Sequence, residues 1–293
     1  MIELALVIAS LLAVGGAFIR YQIHQKKTPE RLKNWQRLIA WCLIFSVCLL
    51  AFYLGLVGIT VLVFGIMIWA GIELHQMLKL EKVLSFSLAS GVVIIALLAA
   101  VFLASGTQSF FFLCLISAVL VYYLPVDLSG FAYLFYNFCI LSLGSVVLLA
   151  VMANRVGLDE GYLLLSLFFI VSVNDIAQYV VGKLLGKTQV ASQLSPKKTL
   201  EGVLGGMLIS ALLCGILLPT ILPIDYAKSA ALGGLLGLAG FLGDLNVSRI
   251  KRALNLKDTG ATIIGHGGLF DRIDSLLLVV PVFGSLLVLM GYL

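Results

Sequence analysis

The residues of this sequence best suited to chemistry lie in its last polar segment, between Ser248 and Ser275. Asp271 and Asp274 are three positions apart there, so a helix that begins near residue 269 would carry both carboxylates on one face of its first turn. Carboxylate oxygens suit Mg²⁺, and this ion usually bridges from them to the phosphates of a substrate. The spacing therefore predicts a magnesium and phosphate site at the start of a helix.

Groups that could bind phosphate surround these carboxylates in the sequence. Glycines on both sides of His266 free backbone amides to approach a phosphate. His266 itself could contact a phosphate, although a lone histidine is more often structural. Four cations of the segment could neutralise a triphosphate: Lys251, Arg252, Lys257 and Arg272.

Two upstream segments extend this chemistry. In the segment 195–199, Pro196 after Ser195 favours a helix start capped by Ser195, where two lysines and two hydroxyls would bind an anion. Basic residues are also common at cytoplasmic helix ends, so this signal is weak alone. Asp175 interrupts an apolar run, at a cost of roughly a few kcal/mol in a bilayer. Its polar neighbours predict a helix that lines a wet cavity, with a polar packing cluster as the alternative.

Membrane helices must position these groups. The chain has 293 residues, of which 61% are hydrophobic and 11% charged, and its mean hydropathy is +1.14. A soluble domain has about 25% charged residues, so this chain cannot cover itself with a solvated surface. Its apolar runs have the length that spans a bilayer. We predict an all-α, polytopic transmembrane helical bundle of about ten spans, at roughly 3–20, 37–54, 56–73, 84–104, 108–125, 131–152, 160–183, 203–222, 229–246 and 275–292.

The distribution of charge orients this bundle. Of the 19 Lys and Arg residues, all but Arg155 and Lys228 fall on one side when the spans alternate. The positive-inside rule makes that side cytoplasmic, so the net charge of +5 reflects topology and not a nucleic-acid partner. Residues 1–170 are interpreted as N-terminal transmembrane helices, and residues 171–293 as the catalytic region, with cytoplasmic loops at 183–202 and 247–274. A transporter would need charges inside several helices, whereas these carboxylates gather at cytoplasmic ends.

At these residues the sequence resembles the phosphatidate cytidylyltransferases (CDP-diacylglycerol synthases), as a divergent bacterial branch. The similarity is specific over about 172–275 and generic before it. Its upstream blocks are Asn174-Asp175, Ser195-Pro196-Lys197-Lys198-Thr199 with Glu201-Gly202, and Gly243-Asp244. Its signature blocks are Ser248-Arg249-Ile250-Lys251-Arg252, Lys257-Asp258-Thr259-Gly260 and His266-Gly267-Gly268-Leu269-Phe270-Asp271-Arg272-Ile273-Asp274.

The resemblance implies transfer of CMP from CTP to the phosphate of an anionic phospholipid such as phosphatidic acid, at the bacterial inner membrane, by a homodimer. It implies a metal centre built on Asp244 and Asp271, with Asp274 as a further metal ligand, which holds Mg²⁺ and leaves room for a second, monovalent cation such as K⁺. The catalytic roles it implies fall on Asp175, Asp244, Lys251, Arg252 and Asp271. The substrate-binding roles fall on Ser195, Lys197, Lys198, Thr199, Ser248, Lys257, His266, Gly267, Gly268 and Arg272.

Three departures from the family pattern bear on substrate choice. Ile176-Ala177-Gln178 replaces Thr-Gly-Ala, Val247 replaces a glutamate, and Ile264 replaces a proline. The first two put bulkier or apolar groups near the expected site, so they could retune its pocket or weaken catalysis. Two other functions stay open: a CTP-dependent kinase of a polyprenol-like lipid alcohol, and a non-catalytic lipid-binding or transport relative. Retention of Asp244, Asp271 and Asp274 argues against the latter.

Overall fold

Helices make up the described fold. The computed structural model describes residues 2–25, 29–78, 114, 116–119, 128–256, 258–260 and 267–293. The helices are α1 (Ile2–Gln25), α2 (Pro29–Tyr53), α3 (Gly55–Leu78), α4 (Leu128–Arg155), α5 (Glu160–Leu185), α6 (Leu200–Leu217), α7 (Tyr226–Ala253), α8 (Phe270–Ile273) and α9 (Leu276–Leu289). A 3₁₀ turn, Leu218–Thr220, extends α6. The predicted all-α fold is confirmed.

Six of these segments are long and apolar enough to cross a membrane. They are Gly55–Met77, Leu134–Arg155, Glu160–Leu185, Leu200–Thr220, Tyr226–Ala253 and Phe270–Leu289. Ile2–Val14 and Leu38–Tyr53 are shorter apolar stretches. A polytopic membrane protein is therefore confirmed, but the count of ten spans is not. The predicted span 84–104, and most of 108–125, lies outside the described residues.

A sharp break separates the two spans that nearly touch in the sequence. α2 ends at Tyr53 and α3 begins at Gly55, with Leu54 between them. Gly55 has a φ of +64°, in the left-handed region that glycine adopts without a steric penalty. The chain can therefore leave one helix and start the next within a single residue.

Glycine allows α5, α6 and α7 to pack closely. A β-carbon on Gly233 of α7 would collide with the backbone carbonyl of Ser210 on α6. One on Gly237 would lie 2.8 Å from the Cα of Met207, also on α6. Both glycines pack against a helix of the same chain, so they give no support to the predicted homodimer.

The polar residues converge at one end of this bundle, which we call the site end. Glu73, near the end of α3, contacts the start of α8. Phe135, near the start of α4, packs its ring 5.3 Å from that of Phe270 in α8. Asp175 on α5 contacts Ser275, which lies between α8 and α9.

Candidate active site

Asp271 has polar partners at both of its carboxylate oxygens. Its Oδ1 lies 2.8 Å from Lys251 Nζ at the end of α7. Its Oδ2 accepts hydrogen bonds from the Thr259 N–H (3.1 Å), the Thr259 hydroxyl (3.2 Å) and the Gly268 N–H (3.2 Å). The predicted neighbours Lys251, Gly268 and Asp271 therefore do meet. Gly267, beside them, has a φ of +83°, so a residue with a side chain would be strained there.

Asp244 forms a second carboxylate–lysine pair. Its Oδ2 lies 2.5 Å from Lys198 Nζ, and its Oδ1 accepts a hydrogen bond of 3.2 Å from the Ser248 hydroxyl one turn later on α7. The Lys198 ammonium also lies 4.8 Å from the centre of the Phe241 ring. The structure thus brings together three residues that the sequence placed in separate blocks.

Asp175 and Asp274 complete the acidic cluster. The Ser275 hydroxyl donates to Asp175 Oδ1 over 3.0 Å, and the Ser275 N–H donates to Asp274 Oδ1 over 2.9 Å. Asp244 repels both carboxylates, while Lys198 attracts Asp175 and Lys251 attracts Asp274. The acidic cluster of the site end thus consists of Asp175, Asp244, Asp271 and Asp274, with Lys198 and Lys251 as its cations.

Asn174, which directly precedes Asp175, packs between helices. Asn174 is buried, its amide donates to Asp175 Oδ1 over 3.4 Å, and its Oδ1 accepts a hydrogen bond of 3.1 Å from the Ser210 hydroxyl on α6. The alternative of a polar packing cluster thus describes Asn174, whereas Asp175 faces the charged groups.

The helix start predicted at Ser195 is wrong. α6 begins at Leu200, and Thr199 is its N-cap, because the Thr199 hydroxyl accepts the Gly202 N–H over 3.2 Å. Thr199 has the extended backbone that a cap requires, with φ −121° and ψ 152°. Pro196 instead lies in a turn that the Lys198 N–H closes on the Ser195 carbonyl at 3.1 Å.

The segment between α5 and α6 is tied down at both ends. Glu201 accepts hydrogen bonds from the backbone N–H groups of Lys187 (3.0 Å) and Thr188 (3.2 Å). Arg252 donates to the carbonyls of Leu194 (3.1 Å) and Leu256 (3.0 Å). These contacts of Arg252 hold the loop that carries Lys198. Lys197 is exposed on that loop.

Glu73 is a site-end residue that the sequence motifs did not predict. It is 1% exposed, and its two carboxylate oxygens accept the Leu269 N–H (2.7 Å) and the Phe270 N–H (3.1 Å). A carboxylate there satisfies donors that the start of α8 cannot satisfy itself. A β-carbon on Gly268 would collide with Glu73, which makes the fit tight. The one available signal was a lone glutamate near the end of an apolar run.

Of the predicted residues not yet placed, the structure describes Arg272. Arg272 is half-buried and lines an apolar cavity on another face of α8. Lys257 and His266 lie outside the described residues, as does the departure at Ile264, so their predicted roles stay predictions.

The donor set suits a hard divalent cation that is shared with a substrate. Within the described part of the chain, no three His, Cys, Asp or Glu side chains are placed to hold one metal ion by themselves. Mg²⁺ does not require this, since it is usually bound by one or two carboxylates together with waters and substrate phosphates. Asp244 and Asp274 repel each other, and a divalent cation between them would neutralise their negative charge. The residues present therefore fit Mg²⁺, and the metal site stays a prediction.

Comparison with known proteins defines the class to which this fold and site belong. The model of the cytidylyltransferase family matches residues 35–290, which is most of the chain. The chain is a member of the cytidylyltransferase family, as its motifs predicted.

Individual relatives agree with this assignment. The chain is 32% identical to the phosphatidate cytidylyltransferase of Staphylococcus saprophyticus over 178 residues, 59% of this chain and 66% of that one. It is 43% identical to the phosphatidate cytidylyltransferase of Bacillus subtilis over 116 residues, 39% of this chain and 43% of that one. It is 44% identical to the uncharacterized protein YnbB of Escherichia coli over 121 residues, 41% of each chain. The matched parts thus span about two fifths to two thirds of these relatives.

Proposed function

We propose that this protein transfers CMP from CTP to the phosphate of a membrane phospholipid, with phosphatidic acid as the acceptor, and releases pyrophosphate and CDP-diacylglycerol. The observation that carries the proposal is the pairing of Lys198 with Asp244 and of Lys251 with Asp271 at one end of a membrane bundle. Membership of the cytidylyltransferase family supports the same reaction.

The two ion pairs suggest how the site exchanges partners when substrate binds. Both lysine side chains are largely buried, with 17% of Lys198 and 12% of Lys251 exposed, so each needs a counter-charge. In the structure Asp244 and Asp271 supply it. With CTP bound, the triphosphate would take over the lysines, and Asp244 with Asp271 or Asp274 would hold Mg²⁺. That ion supplies charge neutralisation at the leaving pyrophosphate.

The reaction then needs positioning more than covalent chemistry by the protein. An oxygen of the lipid phosphate attacks the α-phosphorus of CTP, a new P–O bond forms, and the bond to the β-phosphate oxygen breaks. Lys198 and Lys251 hold the phosphate chain, while Ser248 and the Gly268 backbone orient Asp244 and Asp271. The acceptor is already an anion, so this step requires no general base.

We also propose that the site end faces the bacterial cytoplasm, where CTP is found, and that the spans lie in the inner membrane. The concentration of Lys and Arg in segments at this end supports that orientation. A homodimer remains a proposal from the family resemblance.

An isotope experiment tests the reaction type. Purified protein in detergent receives Mg²⁺, CTP labelled at the α- or the γ-phosphate, and either phosphatidic acid or a polyprenol as the acceptor. We expect α-label to enter a chloroform-soluble product and γ-label to leave as pyrophosphate, and we expect Asp271→Asn to abolish both while it still inserts into the membrane. Transfer of γ-label to a lipid alcohol would identify a kinase instead. Absence of any transfer, with lipid still bound, would identify a non-catalytic relative.

A further inference from the structure

A large apolar cavity lies beside the last span of the bundle. Its volume is about 700 Å³, within the roughly 300–1,000 Å³ of typical ligand pockets. Side chains from α2, α3, α4, α5, α8 and α9 line it, and nearly all are aliphatic or aromatic.

The last span separates this cavity from the acidic cluster. Leu269, Arg272, Ile273, Leu276, Leu277 and Val280 line the cavity. These positions recur every three or four residues and so share one helical face. Asp271, Asp274 and Ser275 occupy the opposite face, where they contact the groups of the candidate active site. One short helical segment therefore presents a charged face to one compartment and an apolar face to the other.

The cavity has a polar end at the level of the active site. Arg272 is the one charged residue of its lining within the described chain, and the polar Gln36, near the start of α2, also lines it. Arg272 directly follows Asp271 in the sequence. A guanidinium presents several fixed N–H donors that match the geometry of a phosphate, whatever other partner it has.

The remaining length of the cavity suits a hydrocarbon chain. The face of α2 from Gln36 to Phe52 lines it, which is roughly 24 Å at 1.5 Å per residue. Ile39, Leu43 and Val47 along this face are 45%, 62% and 53% exposed. They form a rim that opens to the outside of the bundle, where the acyl chains of the bilayer lie.

We propose that this cavity binds the acyl chains of the phospholipid acceptor, while Arg272 holds the lipid phosphate at the site end. The inference rests on the proposed function for the identity of that lipid. Lipid would enter from the bilayer past α2 and would present its phosphate beside Asp271. CTP would reach the other face of the same helix from the aqueous side, and the two substrates would meet at the site end, around the start of α8. The product keeps the same acyl chains, so it would leave by the route through which the acceptor entered.

Photolabelling tests the site without relying on turnover. Phosphatidic acid with a diazirine at the end of one acyl chain is bound to the purified protein and irradiated, and the labelled peptides are identified by mass spectrometry. We expect label on the stretch of α4 around Leu143 and Val146, displaced by excess unlabelled phosphatidic acid but poorly by phosphatidylcholine. In Arg272→Gln we expect the label to remain and this preference to disappear. Label spread evenly onto the exposed face of α6, near Leu208 and Leu212, would mean bulk bilayer lipid only and would overturn the proposal.

A matched pair of variants tests the cavity in catalysis. Val146→Trp fills part of the cavity, whereas Leu212→Trp adds the same side chain at a position on α6 that is 55% exposed. We expect Val146→Trp to raise the KM for long-chain phosphatidic acid about tenfold, to spare a short-chain, water-soluble phosphatidic acid, and to leave the KM for CTP unchanged. Equal effects of the two variants, or a rise in both KM values, would overturn the inference.

The two proposals fail in different ways. If the wild type transfers no CMP but α4 is still labelled with the expected preference, the proposed function falls and the anionic-lipid site stands. If CMP transfer is normal and Val146→Trp behaves like Leu212→Trp, the function stands and the cavity assignment falls.

Discussion

Glu73 shows how a single buried carboxylate can control the geometry of the site from a distant part of the chain. It joins α3 to the start of α8 through two charge-assisted hydrogen bonds, next to the residues that orient Asp271. Hydrogen bonds to charged groups contribute roughly 1.5–3 kcal/mol each. Glu73 is therefore expected to act as a positioning residue.

Glu73→Gln should weaken the two hydrogen bonds to the start of α8, while the side chain keeps nearly the same size and shape. The amide offers one acceptor oxygen where two N–H donors need partners, so one donor is left facing an NH₂ group. We expect kcat to fall about tenfold, which corresponds to roughly 1.4 kcal/mol in the barrier, with an unchanged KM for CTP. Steady-state kinetics would measure this, with Glu3→Gln on the exposed face of α1 as control. A normal kcat with only a lower Tm would show that Glu73 serves stability alone.

The sequence predicted the residues of this site better than their contacts. Gly268 and Asp271 come from one signature block and Lys251 from another block of the same 27-residue signature, so the motif already grouped them. The partnership of Lys198 with Asp244 depends on how α6 and α7 pack, and no local spacing encodes it. Glu73 was missed because its partners are backbone N–H groups in α8, 196 and 197 residues away, which carry no side-chain signal.

At the scale of elements, the contact between α6 and α7 depends on which glycines face the partner helix. Gly233 and Gly234 are adjacent, but only a β-carbon on Gly233 would meet α6, whereas one on Gly234 meets nothing within 4 Å. Gly233→Ala should therefore lower stability by about 1–3 kcal/mol through overpacking. Gly234→Ala should be neutral or slightly stabilising, because alanine favours a helix by about 1 kcal/mol over glycine.

Thermal unfolding in detergent would compare these two variants directly. A clear loss in Tm for Gly233→Ala alone would support the close packing of α6 on α7. Equal Tm values would contradict it.

The loop that carries Lys198 depends on Glu201 for its order. Glu201 binds the backbone N–H groups of Lys187 and Thr188, so it closes the loop onto the start of α6. Glu201→Ala should speed proteolysis between residues 187 and 199 severalfold and raise the KM for CTP. Limited proteolysis, with Glu160→Ala at the start of α5 as control, would measure this. Equal cleavage rates in the two variants would show that the loop is held by other contacts.

The start of α6 was predicted four residues too early because two signals competed. Proline after serine is a common helix start, and Ser195-Pro196 matches it. Thr199, whose hydroxyl accepts the Gly202 N–H, provides a second possible start. The hydrogen bonds of Glu201 to the backbone of Lys187 and Thr188 stabilise this later start. Such tertiary contacts cannot be read from a local pattern.

For the whole molecule, composition was enough to predict an all-α membrane bundle, since no other architecture accommodates this hydropathy. The number of spans was harder to predict from the sequence. One residue separates α2 from α3, and only six of the described segments are long enough to span a membrane. The convergence of acidic and basic residues at one end follows from alternation of the spans, so the sequence predicted it.

Orientation can be tested with single cysteines at the two ends of the bundle. Lys197 is exposed at the site end, and Lys228 is exposed at the start of α7, at the opposite end. Each cysteine is introduced into a variant of the protein whose five native cysteines have been replaced, and the variant is expressed in cells. We expect a membrane-impermeant maleimide to label Lys228→Cys in intact cells, and to label Lys197→Cys only after the membrane is permeabilised. The reverse pattern would place the site end outside and would exclude cytosolic CTP as its substrate.

The most direct test of the account compares two aspartates on α7. Asp244 pairs with Lys198 at the site end, whereas Asp225 caps the start of the same helix by accepting the Lys228 N–H over 2.8 Å. Transfer of α-labelled phosphate from CTP to phosphatidic acid would be measured for Asp244→Asn and Asp225→Asn. We expect Asp244→Asn to lose activity by about 100-fold or more, as expected for removal of an electrostatic stabiliser. Asparagine caps a helix as well as aspartate, so Asp225→Asn should transfer CMP like the wild type. Comparable activity in both variants would contradict the assignment of CMP transfer to the site end.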